Sequence, residues 1–132
     1  GNQVGPGKLL LERAAVHVGM AGDGKTAFEE LLSRNSSFAG IVTCSDMVAA
    51  AVLSSAGKLG IRVPEELSVV GFDDSQIASV MNPPLTSVAQ PYREMGKAAV
   101  DILLKELDGA TMVGSRVFPV QVVERESTRS LE

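Results

Sequence analysis

Residues 59–74, LGIRVPEELSVVGFDD, decide how the chain is organised. A leucine-glycine pair and an Arg-x-Pro-Glu-Glu turn lead into LSVVGF (67–72), an apolar run typical of a strand covered on both faces. Two carboxylates, Asp73 and Asp74, follow at its carboxyl end. Upstream, SDMVAAAVLSSAGKLG (45–60) opens on capping residues, continues as an alanine-rich helix and stops at Gly57 or Gly60. Before it, AGIVTC (39–44) is another unbroken apolar run. Strand, helix and strand joined by short connections predict a parallel β-α-β unit with a right-handed crossover.

Outward from this unit the pattern repeats. AAVHV (14–18) is a strand candidate, and TAFEELLSR places Phe28, Leu31 and Leu32 at helical spacing. A short segment, 75–82, is closed by Pro83-Pro84, and TSVAQ (86–90) is an extended crossing. Pro91 suits the first position of the helix PYREMGKAAVDILLKEL, which stops at Asp108-Gly109. RVFPVQVVER (116–125) is a last strand, and Pro119, lacking an N–H, places it at an edge. GNQVGPG (1–7) is a loop, and the tail ESTRSLE is expected to be disordered. The fold class is α/β, a doubly wound, mainly parallel sheet.

Composition narrows the function. The 132 residues suffice for one domain or a piece of one; 45% are apolar and only 4% aromatic, without tryptophan. A formal charge of −4 and a pI near 5.0 argue against this piece gripping nucleic acid by itself, which needs clustered Lys and Arg. A lone cysteine, Cys44, allows no internal disulfide and suits a reducing compartment. No run approaches the ~20 apolar residues of a membrane helix, and no signal-peptide pattern opens the chain. The expected location is cytoplasmic, with no membrane, metal or cofactor requirement.

In parallel α/β sheets, ligands gather beyond the carboxyl ends of the strands. The residues leaving the strands here are Gly19, then Ser45-Asp46, then Asp73-Asp74, then Gln90. Hydroxyl, amide and carboxylate groups on one rim suit a small polyol, sugar or purine-like ligand better than a polyanion. A competing motif lies upstream: Gly19-x-x-x-x-Gly24-Lys25-Thr26 fits a phosphate-binding P-loop, with Asp46 or Asp73 available as a Mg²⁺ partner. If the helix already includes Gly24, that glycine is instead a packing residue and Lys25 a solvated one.

From residue 39 onward the chain resembles the sugar-sensing core of lac/gal-repressor-type (LacI/GalR) transcriptional regulators. The phrases LGIRVPEELSVVGFDD, PPLTSVAQP and MGKAAVDILL are long, ordered and specific, and VVERESTR resembles the family's terminal strand. The resemblance implies a type I periplasmic-binding-protein-like fold, in which a small effector lies between two α/β subdomains. It implies that 8–90 and 116–126 form the C-terminal subdomain. The helix in 91–109 then belongs to an N-terminal subdomain not contained in the chain, and DNA is bound only through a helix-turn-helix headpiece that is also absent. By motif match Asp73 is the foremost ligand candidate, joined by Ser45 (where the family often has Asn), Gln90 and Tyr92. Gly19 stands where many members place an aromatic. Asp46 is assigned as the N-cap of helix 47–58.

The same resemblance implies a homodimer, with Met47, Ala50, Val80 and Met81 at the interface. The stripe Met95, Ala99, Ile102, Leu103 and Leu107 is expected to lack cover, leaving its helix displaced, docked on another chain or poorly ordered. His17 and Cys44 are assigned to packing rather than chemistry. Neighbouring strand residues point to opposite faces, so Asp73 and Asp74 make a poor acid–base pair. The expected function is therefore non-enzymatic: effector sensing and dimerisation in a transcriptional regulator. A P-loop nucleotide-binding domain and a solute-binding protein of the same fold are the alternatives.

Overall fold

A computed structural model of the chain describes residues 14–16, 24–34, 38–109 and 114–130. Five strands follow one another across a single sheet in chain order: β1 (Ala14–Val16), β2 (Gly40–Val42), β3 (Ser68–Asp73), β4 (Thr86–Ala89) and β5 (Gln121–Val123). Neighbours from β1 to β4 pair in parallel, and β5 runs antiparallel to β4. Helix α1 (Gly24–Ser33) joins β1 to β2, and α2 (Asp46–Lys58) joins β2 to β3. A 3-10 turn, Gln76–Val80, lies between β3 and β4, and α3 (Tyr92–Leu107) between β4 and β5.

The core forms where α1 and α2 meet one face of the sheet. Ala49, Val52 and Ala56 recur at helical spacing along α2 and are buried together with Phe28 of α1, Ile41 of β2 and Val69 of β3. Each large side chain of this set contributes about 1.5–3 kcal/mol through its removal from water. Gly24 opens α1 at the point where it meets α2. A Cβ there would lie 2.7 Å from the Val48 carbonyl oxygen and 3.1 Å from the Ala51 Cβ, so only glycine lets the helices approach this closely. The opposite face of the sheet is less covered than the apolar runs imply: Val42 is 39% exposed, and Val70 and Phe72 are half-buried. Alternation along β2 and β3 thus sends one set of side chains into the helices and the other to a face that no described helix covers.

The ends of α2 are closed by local chemistry. Ser45, not Asp46, is the N-cap: its Oγ accepts from the Val48 N–H at 3.3 Å. At the other end the Ile61 N–H donates to the Ala56 carbonyl and the Gly60 N–H to that of Gly57, with Gly60 at φ 74. This is a Schellman closure, and it requires the left-handed residue that glycine supplies.

The tail departs from expectation. The last strand is short, and Val117 is 94% exposed, so 116–120 adds no ladder. The segment expected to be disordered is instead locked into the sheet. Ser127 is fully buried, its Oγ donating to the Val69 carbonyl at 2.6 Å and accepting from the Thr86 N–H at 2.8 Å. Its carbonyl accepts from the Val69 N–H, so Ser127 fills the gap where β3 and β4 have not yet paired. Arg129 then donates to the carbonyls of Pro64 and Glu65. A polar tail is ordered here because two strands present unpaired backbone groups for it to satisfy.

α3 is formed, with Pro91 at its cap position and not its first residue. Among the described residues it makes no extensive contact with another element. Leu103 and Leu107 of its expected stripe are 55% and 74% exposed, and Val100 and Leu104 are also exposed. Ala98, outside that stripe, is its buried residue.

Candidate functional site

The carboxyl ends of β2, β3 and β4 lie side by side because these strands are parallel neighbours in register. That edge gathers Ser45, Asp73 and Gln90, and the first turn of α3 adds Tyr92. Asp73, the last residue of β3, accepts at one carboxylate oxygen from both the Tyr92 hydroxyl (2.6 Å) and the Gln90 side-chain amide (3.1 Å). The same amide nitrogen donates to the Tyr92 Oη at 2.9 Å. Three of the residues singled out from sequence therefore form one hydrogen-bonded group. Tyr92 is 52% exposed, so the group opens to solvent. Asp73 raises the Tyr92 phenol above the ordinary tyrosine value, chiefly because ionisation would break the hydrogen bond to its carboxylate. Burial and the charge of Asp73 act in the same direction, and the Gln90 hydrogen bond opposes them.

The chain leaves β3 through a bend of two left-handed residues, Asp73 at φ 108 and Asp74 at φ 49. The bend turns the two carboxylates to separate partners. Asp74 accepts from the Arg125 guanidinium at 2.7 Å, and the other arm of that guanidinium donates to the Leu85 carbonyl. The bend, and not strand alternation, separates the two carboxylates.

Below the rim lies a residue whose role the sequence did not reveal. Asp46 is 1% exposed. One of its carboxylate oxygens accepts from the Ser75 N–H and Oγ, both at 2.7 Å; the other accepts from the Ser87 Oγ at 2.5 Å. The Ser87 Oγ in turn accepts from the Asp74 N–H at 3.1 Å. Gly71 makes room for this carboxylate, since a Cβ there would overlap the Asp46 Oδ1. A Ser-Asp pair before a helix suggests an N-cap; the glycine two residues before Asp73 is the one signal of a close approach. Arg125 was hidden for a similar reason, lying in a stretch expected to be peripheral.

Of the remaining candidates, Ser45 is half-buried and its Oγ already accepts the capping hydrogen bond. Gly19 and His17 lie outside the described residues. Cys44 is exposed. Within the P-loop match, Gly24 belongs to the contact between α1 and α2, and Lys25 pairs with Glu29 one turn along at 3.8 Å on the exposed face of α1. Met47 and Val80 are 68% and 78% exposed. Ala50 and Met81 line one groove, with Leu53, Ser54 and Asn82, while Met47 lies on α2 and Val80 ends the 3-10 turn. Among the described residues no helix is long and apolar enough to cross a membrane, and no cluster of His, Cys, Asp and Glu is placed to hold a metal ion.

Comparison with known proteins places this architecture. The profile of the periplasmic binding protein-like domain family matches residues 9–128. The chain is 37% identical over 109 residues to the HTH-type transcriptional repressor CytR of Escherichia coli K12, covering 82% of this chain and 32% of that protein. It is 42% identical over 108 residues to the HTH-type transcriptional regulator MalR of Streptomyces coelicolor, covering 81% and 31%. Among solved structures, a lac repressor dimer bound to operator and the anti-inducer ONPF superposes with a TM-score of 0.72 at 30% identity, over 80% of this chain and 37% of that one. The transcriptional regulator CelR in complex with cellobiose superposes with a TM-score of 0.78 at 28% identity, over 88% and 46%. The chain spans about a third of the length of the curated relatives it matches. With its parallel sheet, its rim of polar groups and these relatives, the chain belongs to the periplasmic binding protein-like domain family, in the branch of the lac/gal-repressor-type transcriptional regulators.

Proposed function

We propose that this chain is the effector-sensing and dimerisation region of a DNA-binding transcriptional regulator, that it is not an enzyme, and that its effector is a small sugar or related polar metabolite. The observation behind this reading is the Asp73–Gln90–Tyr92 group at the carboxyl edge of the parallel sheet. A carboxylate accepts from ligand hydroxyls, the amide both donates and accepts, and the phenol offers a hydroxyl and a flat face. Asp73 and Asp74 turn to separate partners, Tyr92 with Gln90 for the first and Arg125 for the second, so they do not act as an acid–base pair. The ribose operon repressor of Haemophilus influenzae and the cellobiose complex of CelR are sugar-linked relatives that lend weight to this ligand class.

On this reading Ser45 and Gly19 line the same cleft, and α3 starts a second lobe that supplies the opposite wall. A homodimer forms through Met47, Ala50, Val80 and Met81, a small and flexible apolar surface that is partly open in the single chain. DNA is contacted by a helix-turn-helix outside this chain, and the protein works in the cytoplasm. The packing role of Gly24 and the exposed pairing of Lys25 leave the P-loop reading without support. The test is a panel of mono- and disaccharides, including ribose and cellobiose, added to the longer gene product on its operator. At least one should change operator affinity, and Asp73→Asn should abolish that response while leaving sugar-free operator binding intact. Full response in Asp73→Asn, or none to any sugar in the unsubstituted protein, would refute the reading.

A further inference from the structure

The bend after β3 raises a physical question. Left-handed backbone at non-glycine residues is uncommon, and sparsely populated conformations cost about 1–3 kcal/mol each. Asp74, at φ 49, sits where aspartate is tolerated; Asp73, at φ 108, does not. Such a conformation persists only if its surroundings over-determine it.

They do so here, and the bonds to the backbone of residues 74 and 75 lead back to one side chain. Asp46 holds the Ser75 N–H and hydroxyl, fixing the chain directly after the bend. It also orients the Ser87 hydroxyl, which receives the Asp74 N–H at the middle of the bend. Hydrogen bonds to an ionised acceptor are roughly twice as strong as neutral ones, so a buried carboxylate suits this task. Gly71 leaves the space in which the carboxylate sits. Asp73 is also held by its pairing with Ala89 in the ladder and by Gln90 and Tyr92 at its carboxylate, and Arg125 holds the Asp74 side chain, but none of these grips the backbone after Asp73.

We propose that Asp46 is a positioning residue: through Ser75 and Ser87 it clamps the left-handed bend and so aims the Asp73 carboxylate at Gln90 and Tyr92, where the effector binds. Its importance to ligand recognition rests on the effector reading above; the clamp itself does not.

Strand register brings Asp73 to the rim, and the bend sets the direction of its side chain there. Loosening Ser75 or Ser87 should let residues 73–74 relax toward ordinary extended backbone and withdraw the carboxylate from Tyr92. The chain has one tyrosine and no tryptophan, so absorbance near 295 nm reports Tyr92 alone. Alkaline titration of the unsubstituted chain should give a midpoint above the ordinary tyrosine value, and Asp73→Asn should lower it. Ser87→Ala removes two hydrogen bonds of the clamp without changing any charge, and its midpoint should fall to nearly that of Asp73→Asn. Ser75→Ala, which keeps the backbone donor, should give an intermediate value, and Ser75→Thr should restore it.

Circular dichroism at neutral pH identifies the folded variants. Should Ser87→Ala fail to fold, the half-buried Ser75 pair decides. A folded Ser87→Ala or Ser75→Ala chain with the unsubstituted midpoint would overturn the proposal, because a residue serving stability alone would leave Tyr92 unaffected. No ligand enters this titration, so its failure would not touch the effector reading. A protein insensitive to sugars could in turn still show the clamp.

Discussion

Replacing Ser127 by alanine should destabilise the chain far more than its place six residues from the C-terminus suggests. The hydroxyl is fully buried and serves two groups, the Val69 carbonyl at 2.6 Å and the Thr86 N–H at 2.8 Å. Val69 is itself fully buried and Thr86 only 3% exposed, so water cannot replace the lost partner without opening the sheet. Stranding a buried donor or acceptor costs about 1–3 kcal/mol, and the carbonyl, with its second lone pair, lies at the low end. The expected loss is therefore about 2–4 kcal/mol, a large part of the ~5–15 kcal/mol of a typical domain. With a urea dependence of about 1–3 kcal/mol per molar, the midpoint should fall by about 1–2 M in equilibrium unfolding followed by circular dichroism. Ser130→Ala, three residues on and exposed, should stay within about 0.5 kcal/mol of the parent. A Ser127→Ala chain as stable as Ser130→Ala would refute the view that the tail completes the sheet.

Gly24→Ala should destabilise by about 1 kcal/mol although alanine is the better helix former, because close packing against α2 outweighs a propensity gain of similar size. Lys25→Ala should alter urea stability by no more than about 0.5 kcal/mol, as its ion pair is exposed, and calorimetry should detect no Mg-nucleotide binding by the parent that Lys25→Ala abolishes. Tyr92 has a raised pKa in the folded chain, so its contribution to stability is complete below pH 10, the unfolded value, and disappears as pH rises through the folded value. Denaturation midpoints compared across that window should fall more steeply for the parent than for Tyr92→Phe, and parallel curves would contradict the hydrogen bond to Asp73. Val80→Asp and Met47→Asp place charges on exposed apolar positions, and sedimentation should show each shifting the chain from dimer toward monomer without unfolding it.

The boundary between what sequence and structure each supplied follows the range of the interactions. β-α-β order, the helix expected over 47–58 with its stop at Gly57 or Gly60, and the strand over 67–72 leading into Asp73 were legible to within a residue or two, since each depends on near neighbours. The grouping of Asp73 with Gln90 was legible too, because parallel neighbours in a sheet must end on the same edge.

What sequence left hidden depended on groups brought together from far apart. Asp46 looked like a cap because its partners, Ser75 and Ser87, are 29 and 41 residues away. Arg125 looked like the end of an edge strand and Ser127 like an unstructured tail because the backbone groups they satisfy belong to β3, β4 and the loop between them. The P-loop letters illustrate the reverse: the spacing is local, whereas the packing of Gly24 against a second helix depends on Val48 and Ala51, more than twenty residues on. Hydrophobic period and turn residues determine which elements exist. Only the assembled sheet decides which buried polar groups meet, because each must find a partner and the distant chain provides it.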